Sequence, residues 1–392
     1  MTQKTEAPIN LFDDFYRGKS VLVTGHTGFK GSWLALWLKE LGASVTGLAL
    51  PADTDPSHFK LIGLNNYIRH IEGDIRNINK VKQAFSIAKP DIVFHLAAQA
   101  LVRDSYGDPK TTFDTNIGGT VNILETIRNS STVRAAVIIT SDKCYENNEW
   151  VWGYRENDPL GGHDPYSASK GAAEIVSDAY RSSYFDKNGQ GPHLGLATAR
   201  AGNVIGGGDW AKDRIIPDCV RALTTDQSIV IRNPQATRPW QHVLDPLYGY
   251  LLLATRLLEN PDTFSGAWNF GPQTSNQITV QALTEWIVAA WGKGTISTRN
   301  TNKNASHEAR LLHLCIDKAA FELRWRPILD SYSAINWTVD WYKSWHSGQT
   351  KQDSLSLKQI RKYSQIAIKK ELGHDRKYSR CHSVRRYGNT LT

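Results

Sequence analysis

The sequence predicts an α/β protein: a doubly wound parallel sheet joined to a smaller α/β domain. Three observations carry the prediction. Between Lys19 and Trp37 an apolar run, a glycine-rich turn and a helical pattern follow one another. From there to Ala199, short apolar runs alternate with stretches of helical length, the pattern of βαβ units with right-handed crossovers. Beyond Arg200 that alternation weakens.

The elements follow in order. Val21-Leu22-Val23 reads as a buried strand, Gly25, Gly28 and Gly31 as the turn, and Phe29 onward as a helix with Trp33, Leu34, Trp37 and Leu38 on one face. Backbone N–H groups at such a helix start attract anions, and glycines let a pyrophosphate come close, so this stretch predicts dinucleotide binding. Ser44–Leu50 is the second strand, Pro51–Pro56 a loop, and Tyr67–Ile71 the third strand, ending in Gly73-Asp74. Asn77–Ala88 is an amphipathic helix. Asp91–Leu96 is a fourth strand, apolar on both faces as a central parallel strand is. Thr111–Asn129 is a helix, Ala135–Thr140 the fifth strand, Pro165–Tyr184 a helix and Leu194–Ala199 the sixth strand. Ligands gather at the carboxyl ends of such strands. That rule draws Gly25–Gly31, Asp74, Ala97–Gln99, Ser141–Tyr145 and Arg200–Asn203 into one crevice.

Later, Gly206-Gly207-Gly208 marks a loop, Thr237–Val243 is polar and aromatic, Gly266–Pro272 is turn-rich and Gln281–Trp291 is a helix. The expected division is residues 12–199 with about 238–262 in the dinucleotide domain, and about 200–237 with 263–346 in a smaller domain covering the crevice. Residues 351–392 form a basic tail, helical over Ser354–Ile368 and disordered from Gly373.

Composition narrows the classes. The chain has 392 residues, 40% hydrophobic and 21% charged, enough for one large or two medium domains. Its 13 Trp and 15 Tyr exceed a bare scaffold's need and suit rings and sugars as well as core. The net charge of +8 resides in the tail, where residues 351–392 hold 11 basic and 3 acidic residues, whereas residues 1–350 hold 35 of each. The body therefore carries no general field for nucleic acid, and nucleic-acid binding is not expected unless the tail supplies it. Cys144, Cys219, Cys315 and Cys381 stand far apart with no metal-ligand spacing, which predicts reduced thiols, no metal and a cytoplasmic protein. The start of the chain is polar, without the apolar stretch of a signal peptide. Leu247–Leu258 is too short for a membrane span and contains Arg256.

The chemistry gathers at Tyr166-x-x-x-Lys170, opening the helix after strand five. Positions four apart share a helix face, and an ammonium one turn from a phenol lowers its pKa, making Tyr166 a base. Gly25-x-x-Gly28-x-x-Gly31 with this pair resembles the extended short-chain dehydrogenase/reductase superfamily over about residues 18–345, which implies a Rossmann-type sheet with a substrate-binding domain. Ser141-Asp142-Lys143 ends strand five, where the related nucleotide-sugar 4,6-dehydratases carry a hydroxyl, an aspartate and usually a glutamate. A C4 epimerase needs only the hydroxyl and the tyrosine, so the adjacent acid and base imply elimination of water. Lysine in the glutamate's place resembles the CDP-glucose 4,6-dehydratase family. His95–Gln99, Arg200–Trp210 and Arg238–Val243 agree with it.

The resemblance implies a mechanism. Tyr166, helped by Ser141, takes the proton of the sugar C4 hydroxyl while hydride passes to NAD. Lys143, partly neutral, removes the C5 proton, and Asp142, its pKa raised, protonates the departing C6 hydroxyl. The product is a 4-keto-6-deoxy sugar nucleotide, a step of deoxysugar biosynthesis. Cofactor contacts implied are Gly25, His26, Thr27, Gly28, Phe29, Lys30, Gly31, Asp74, Ile75, Ala97, Ala98, Gln99, Asn116, Tyr166 and Lys170. Arg103, Asn203, Arg214, Arg238 and Gln241 are the expected substrate contacts, the arginines because guanidinium suits pyrophosphate. A homodimer or homotetramer is implied, built on the helices around 111–129 and 165–184.

Three departures stand against the pattern. Leu48–Pro51 offers no acid for a ribose hydroxyl, which leaves NADP open, with His26 and Lys30 close by. Arg324 stands where such enzymes often have glycine, and the tail is foreign to the family. Alternatives are a dehydratase or C4 epimerase for another nucleotide sugar, or a non-catalytic dinucleotide sensor.

Overall fold

The computed structural model describes residues 11–273, 278–298, 311–348 and 351–384, with side chains to residue 370. The chain start and the end of the tail from residue 385, both subjects of expectations above, lie outside these.

Seven parallel strands form the central sheet: β1 (Ser20–Thr24), β2 (Ser44–Ala49), β3 (Arg69–Glu72), β4 (Ile92–His95), β5 (Ala135–Ile139), β6 (Gly195–Ala201) and β7 (Gly266–Phe270). Their spatial order is β7-β6-β5-β4-β1-β2-β3. The order reverses between β1 and β4, and doubly wound sheets open a ligand crevice at such a point. Strand alternation supplies both cores: Val21 and Val23 face one, and Leu22 the other.

β7 corrects the turn-rich expectation for Gly266–Pro272 and its placement in the smaller domain. It pairs parallel with β6, Gly266 opposite Ala197 through Phe270 opposite Ala201. Its glycine and asparagine read as turn signals. Burial of Trp268 and Phe270 against the sheet overrides them.

The longer helices among the described residues are α1 (Phe29–Glu40), α2 (Ile78–Ala88), α3 (Thr120–Arg128), α4 (Pro165–Tyr180), α5 (Ile215–Thr224), α6 (Leu244–Glu259), α7 (Val280–Trp291), α8 (Ser331–Ser347) and α9 (Gln352–Val384). The expected helix over 111–129 is broken by a π-helical turn at Asp114–Gly119, and α4 likewise ends in one at Arg181–Phe185. Three two-stranded pairs lie apart from the central sheet: Val204–Ile205 with Gln241–His242, Thr237–Arg238 with Ile278–Thr279, and Ile229–Ile231 with Ile296–Thr298. Trp33, Trp37, Trp268, Trp325 and Trp341 are all fully enclosed, so much of the tryptophan content is core. Arg324 has φ +55°, the left-handed conformation that costs an L-residue about 1–2 kcal/mol and explains the usual glycine.

The tail is the largest departure from expectation. α9 runs through Val384, past the predicted disorder boundary at Gly373. Ser356, Gln359, Ile360, Tyr363, Ser364 and Ala367 repeat every three or four residues and are buried. They close over α1 and α8. As a result α1 is buried on every side from Gly31 to Leu38, not along one stripe. Ring contact between Trp37 and Tyr363 (5.5 Å) and the Arg361–Glu40 ion pair (2.7 Å) tie the two helices.

Buried Asp245 marks the junction. Its Oδ1 accepts from the Ile328 and Leu329 amides and the Tyr363 hydroxyl. Burial raises its carboxyl to about 7. A carboxyl raised on folding stabilises the protonated native state, so its contribution is full at low pH and lost as pH rises through about 7. Asp245→Asn should therefore flatten the fall in unfolding free energy between about pH 4 and 7, as read by urea titration at each pH. An unchanged slope would remove Asp245 as its source.

Candidate active site

The glycine turn has the form a phosphate needs. Gly25 has φ +75°, and a Cβ on it would lie 2.7 Å from the Ala97 amide nitrogen. A Cβ on Gly31 would lie 2.1 Å from the Gly25 carbonyl, so only glycine lets α1 start this close to β1. No side chain caps α1 and no acid stands in its first turn. Its first amides therefore have neither a capping oxygen nor a carboxylate beside them, and they fit the pyrophosphate of a dinucleotide.

The flanking residues split into two groups. His26 lies buried, its ring against Gly47 and its Nε2 2.7 Å from His70 Nδ1. Burial, with His70 beside it, pushes its pKa down to about 3. Thr27 donates to the Leu50 carbonyl. Lys30 points to the other end of the crevice, its Nζ 3.5 Å from the Tyr250 hydroxyl. Burial, then Lys170 and Arg214, lower it to about 7, against the pull of Asp142. Neither cation candidate is therefore available for a ribose 2′-phosphate. Asp74 is held by Arg76 (2.6 Å), whose hydrogen bonds keep its carboxyl below the usual range. Ile75 is buried against Gly119. Ala97 donates its amide to Thr24, and Ala98 continues the same loop. Asn116 clamps Gln99 through both amide and carbonyl and also reaches Ser169 on α4.

The catalytic candidates converge from β5 and α4. Ser141 and Asp142 are buried, and Lys143 is half-buried. The Ser141 hydroxyl donates to Asp142 (2.9 Å) and accepts the Lys143 amide (3.2 Å). Asp164 caps α4, and Pro165 occupies its first turn, pre-set for the helix. Tyr166 and Lys170 are both buried on one face of α4. Lys170 donates to the Ile139 carbonyl at the end of β5 (3.2 Å).

The Tyr166 pKa differs from the sequence expectation. Burial raises it to about 12, with a Ser141 hydrogen bond pulling the other way. Burial lowers Lys170 to about 8, against the attraction of Glu174. Desolvation thus outweighs the lowering by Ser141 and Arg214 at the phenol. Activity that depends on the Lys170 ammonium should fall as pH rises through about 8; a profile flat to about pH 10, near an ordinary lysine's pKa, would contradict this.

The substrate candidates are less uniform. Arg214 pairs with Asp209 (2.9 Å) and acts electrostatically on Tyr166. Gly202, beside Asn203, backs Asp142: a Cβ there would lie 3.2 Å from its Oδ2. Arg103 is exposed and pairs with Asp213 (2.6 Å), next to Arg214 at the lip. Arg238 donates to the Thr237 carbonyl and lies on its short antiparallel pair with Ile278–Thr279. Gln241 is buried with its amide on the Phe270 carbonyl, an anchor between strands and not a group facing the crevice. Tyr250 was not anticipated. It sits in an apolar stretch that reads as ordinary core, yet it is coupled electrically to Tyr166 and Asp142.

A nucleotide crevice bearing Tyr166, Lys170 and a Ser-Asp-Lys turn defines a class. Residues 21–269 match the NAD dependent epimerase/dehydratase family, and the chain belongs to it. Within that family it is 50% identical over 337 residues, 86% of this chain and 94% of the other, to the CDP-glucose 4,6-dehydratase of Salmonella typhimurium. Two solved structures share the fold. The Thermus thermophilus UDP-glucose 4-epimerase in complex with NAD is 24% identical, covers 82% of this chain and 98% of its own, and has a TM-score of 0.70. The Bacillus anthracis dTDP-glucose 4,6-dehydratase in complex with NAD is 21% identical, covers 83% and 96%, and has a TM-score of 0.68. Among the described residues, no helix is long and apolar enough to cross a membrane.

Proposed function

We propose that this chain is a hydro-lyase converting CDP-D-glucose to CDP-4-dehydro-6-deoxy-D-glucose and water, with NAD as its resident cofactor. The likeness to the Salmonella enzyme over nearly its whole length carries the substrate. The juxtaposition of Ser141, Asp142 and Lys143 with Tyr166 supports the reaction. The uncapped start of α1 and the Gly25–Gly31 turn hold the pyrophosphate, and Asp74, Ile75, Ala97, Ala98, Gln99 and Asn116 line the rest of the cofactor groove. NAD is favoured over NADP because His26 is buried and neutral and Lys30 turns away.

NAD held in this groove would supply the hydride acceptor for the sugar C4 and the hydride donor for C6. The residues handle protons. Tyr166 accepts the C4 hydroxyl proton, Ser141 hydrogen-bonds the same oxygen, and Lys170 holds positive charge near the phenolate. The C4 carbonyl acidifies the C5 hydrogen, which Lys143 removes. Asp142 delivers a proton to the leaving C6 oxygen. Asn203, Arg103, Arg214 and Arg238 bind the nucleotide diphosphate side. The chain acts as a homodimer or larger in the cytoplasm, and light scattering checks the assembly.

The test is a panel of CDP-glucose, dTDP-glucose, UDP-glucose and GDP-mannose with NAD, the 4-keto product being read by its absorbance in alkali. Product from CDP-glucose alone is expected. Product from another sugar moves the substrate, and no product from any sinks the dehydratase reading. Lys143→Met should lower turnover by about 10²–10⁴-fold, the usual worth of a positioned base, with little change in substrate affinity.

A further inference from the structure

Glu174 lies one helical turn beyond Lys170, as Lys170 lies one turn beyond Tyr166, so the three share a face of α4. Its carboxylate is 3% exposed and fully engaged. Oε1 accepts the hydroxyl of Thr140, the residue directly before Ser141. Oε2 accepts the Thr198 hydroxyl (2.6 Å) and Arg200 Nη2 (2.9 Å), both from β6. Arg200 is equally buried and is spread over Tyr145, its Nη1 2.6 Å from that hydroxyl. A polar cavity of about 590 Å³, lined by Glu156, Glu174, Arg181, Thr198, Arg200 and Lys318, reaches this pair from behind the crevice.

We infer that Glu174 is a positioning residue for the reaction proposed above, clamping α4 to the end of β5 and placing a carboxylate one helical turn from Lys170. Two bonds set the spacing between Tyr166 and the Ser141–Lys143 turn: Lys170 to the Ile139 carbonyl, and Thr140 to Glu174. Both join the same helix to consecutive residues, so the register is fixed twice. Charge is arranged to match. Glu174 faces Lys170 on its own helix, Arg200 from β6, Arg181 from the turn after α4 and Cys144 from the turn after β5. Lys170 in turn helps to depress Lys30 from α1 and His95 from β4, so those two neighbours hold less positive charge beside it. Glu174, with Cys144 from the turn after β5, opposes the burial that lowers Lys170 to about 8. Without it, the ammonium loses its proton at lower pH.

The inference rests on the proposed reaction, so its test carries a readout that needs no turnover. Lysine side-chain NMR follows the Lys170 titration, the signal being assigned by its loss in Lys170→Arg. In Glu174→Gln the midpoint should move down by about one pH unit, and the alkaline limb of kcat/KM should follow it. Turnover should fall about tenfold or more, with KM for the sugar nucleotide nearly unchanged. Glu174→Asp should restore the limb. Stranding Arg200 without a partner threatens folding, so Glu174→Gln/Arg200→Met is made alongside and should show the same shift. A folded variant whose Lys170 midpoint and pH profile coincide with wild type would reduce the pair to a structural one. A moved midpoint in a protein that turns over no nucleotide sugar would uphold the clamp and sink the reaction.

Discussion

Tyr166→Phe is expected to cut turnover by about 10²–10⁴-fold, the range for a positioned acid-base group. That equals about 3–5 kcal/mol of barrier. The ring lies 8% exposed at the start of α4, so phenylalanine keeps the packing and removes only the hydroxyl. Its hydrogen bond with Ser141 is lost as well. The melting temperature and cofactor affinity should stay near wild type, because Asn116, Asp74 and the Gly25–Gly31 turn are untouched. The defect should appear in kcat, since the lost proton transfer belongs to the transition state. Initial rates with CDP-glucose, beside a thermal melt, decide it. A Tyr166→Phe enzyme with wild-type turnover would remove Tyr166 as the base.

Tyr363→Ala should destabilise the whole protein by about 3–5 kcal/mol, the cost of emptying a buried aromatic site. Tyr363 is completely buried against Trp37 and Tyr248, and its hydroxyl serves Asp245. Truncation removes one of the three donors to that carboxylate. The loss should appear as a lower urea midpoint with an unchanged slope. Removing residues 351–392 should be worse, because it uncovers the outer face of α1, the helix that bears the glycine turn. A truncated chain with the wild-type midpoint would make α9 an appendage.

The candidate catalytic elements stood out in the sequence because their signals are local. The Gly25–Gly31 turn, the Tyr166–Lys170 spacing and the apolar strands are each contained within a few consecutive residues. The strand ends could be gathered into one crevice because parallel sheets obey a topological rule. α1 held a further signal: Ser32 to Leu38 is nearly free of polar residues on all faces, and such a helix is buried all round. Something had to cover its outer side, and the buried stripe of α9 does so from more than three hundred residues away, as the Arg361–Glu40 pair shows. The basic composition of the tail concealed that stripe.

By itself the sequence determined the fold class, six of the strands, the dinucleotide turn and the set of catalytic candidates, because hydrophobic period and short motifs depend only on neighbours. Only the tertiary structure decided where long side chains point and what their surroundings do to charge. It turned Lys30 toward Tyr250, sealed His26 beneath the sheet and gave Gln241 a structural bond. It also raised Tyr166 where its lysine neighbour had implied lowering, and made Gly266–Phe270 a strand. The reason is common to all of these. Burial and through-space partners set a side chain's direction and protonation, and residues distant in sequence supply both.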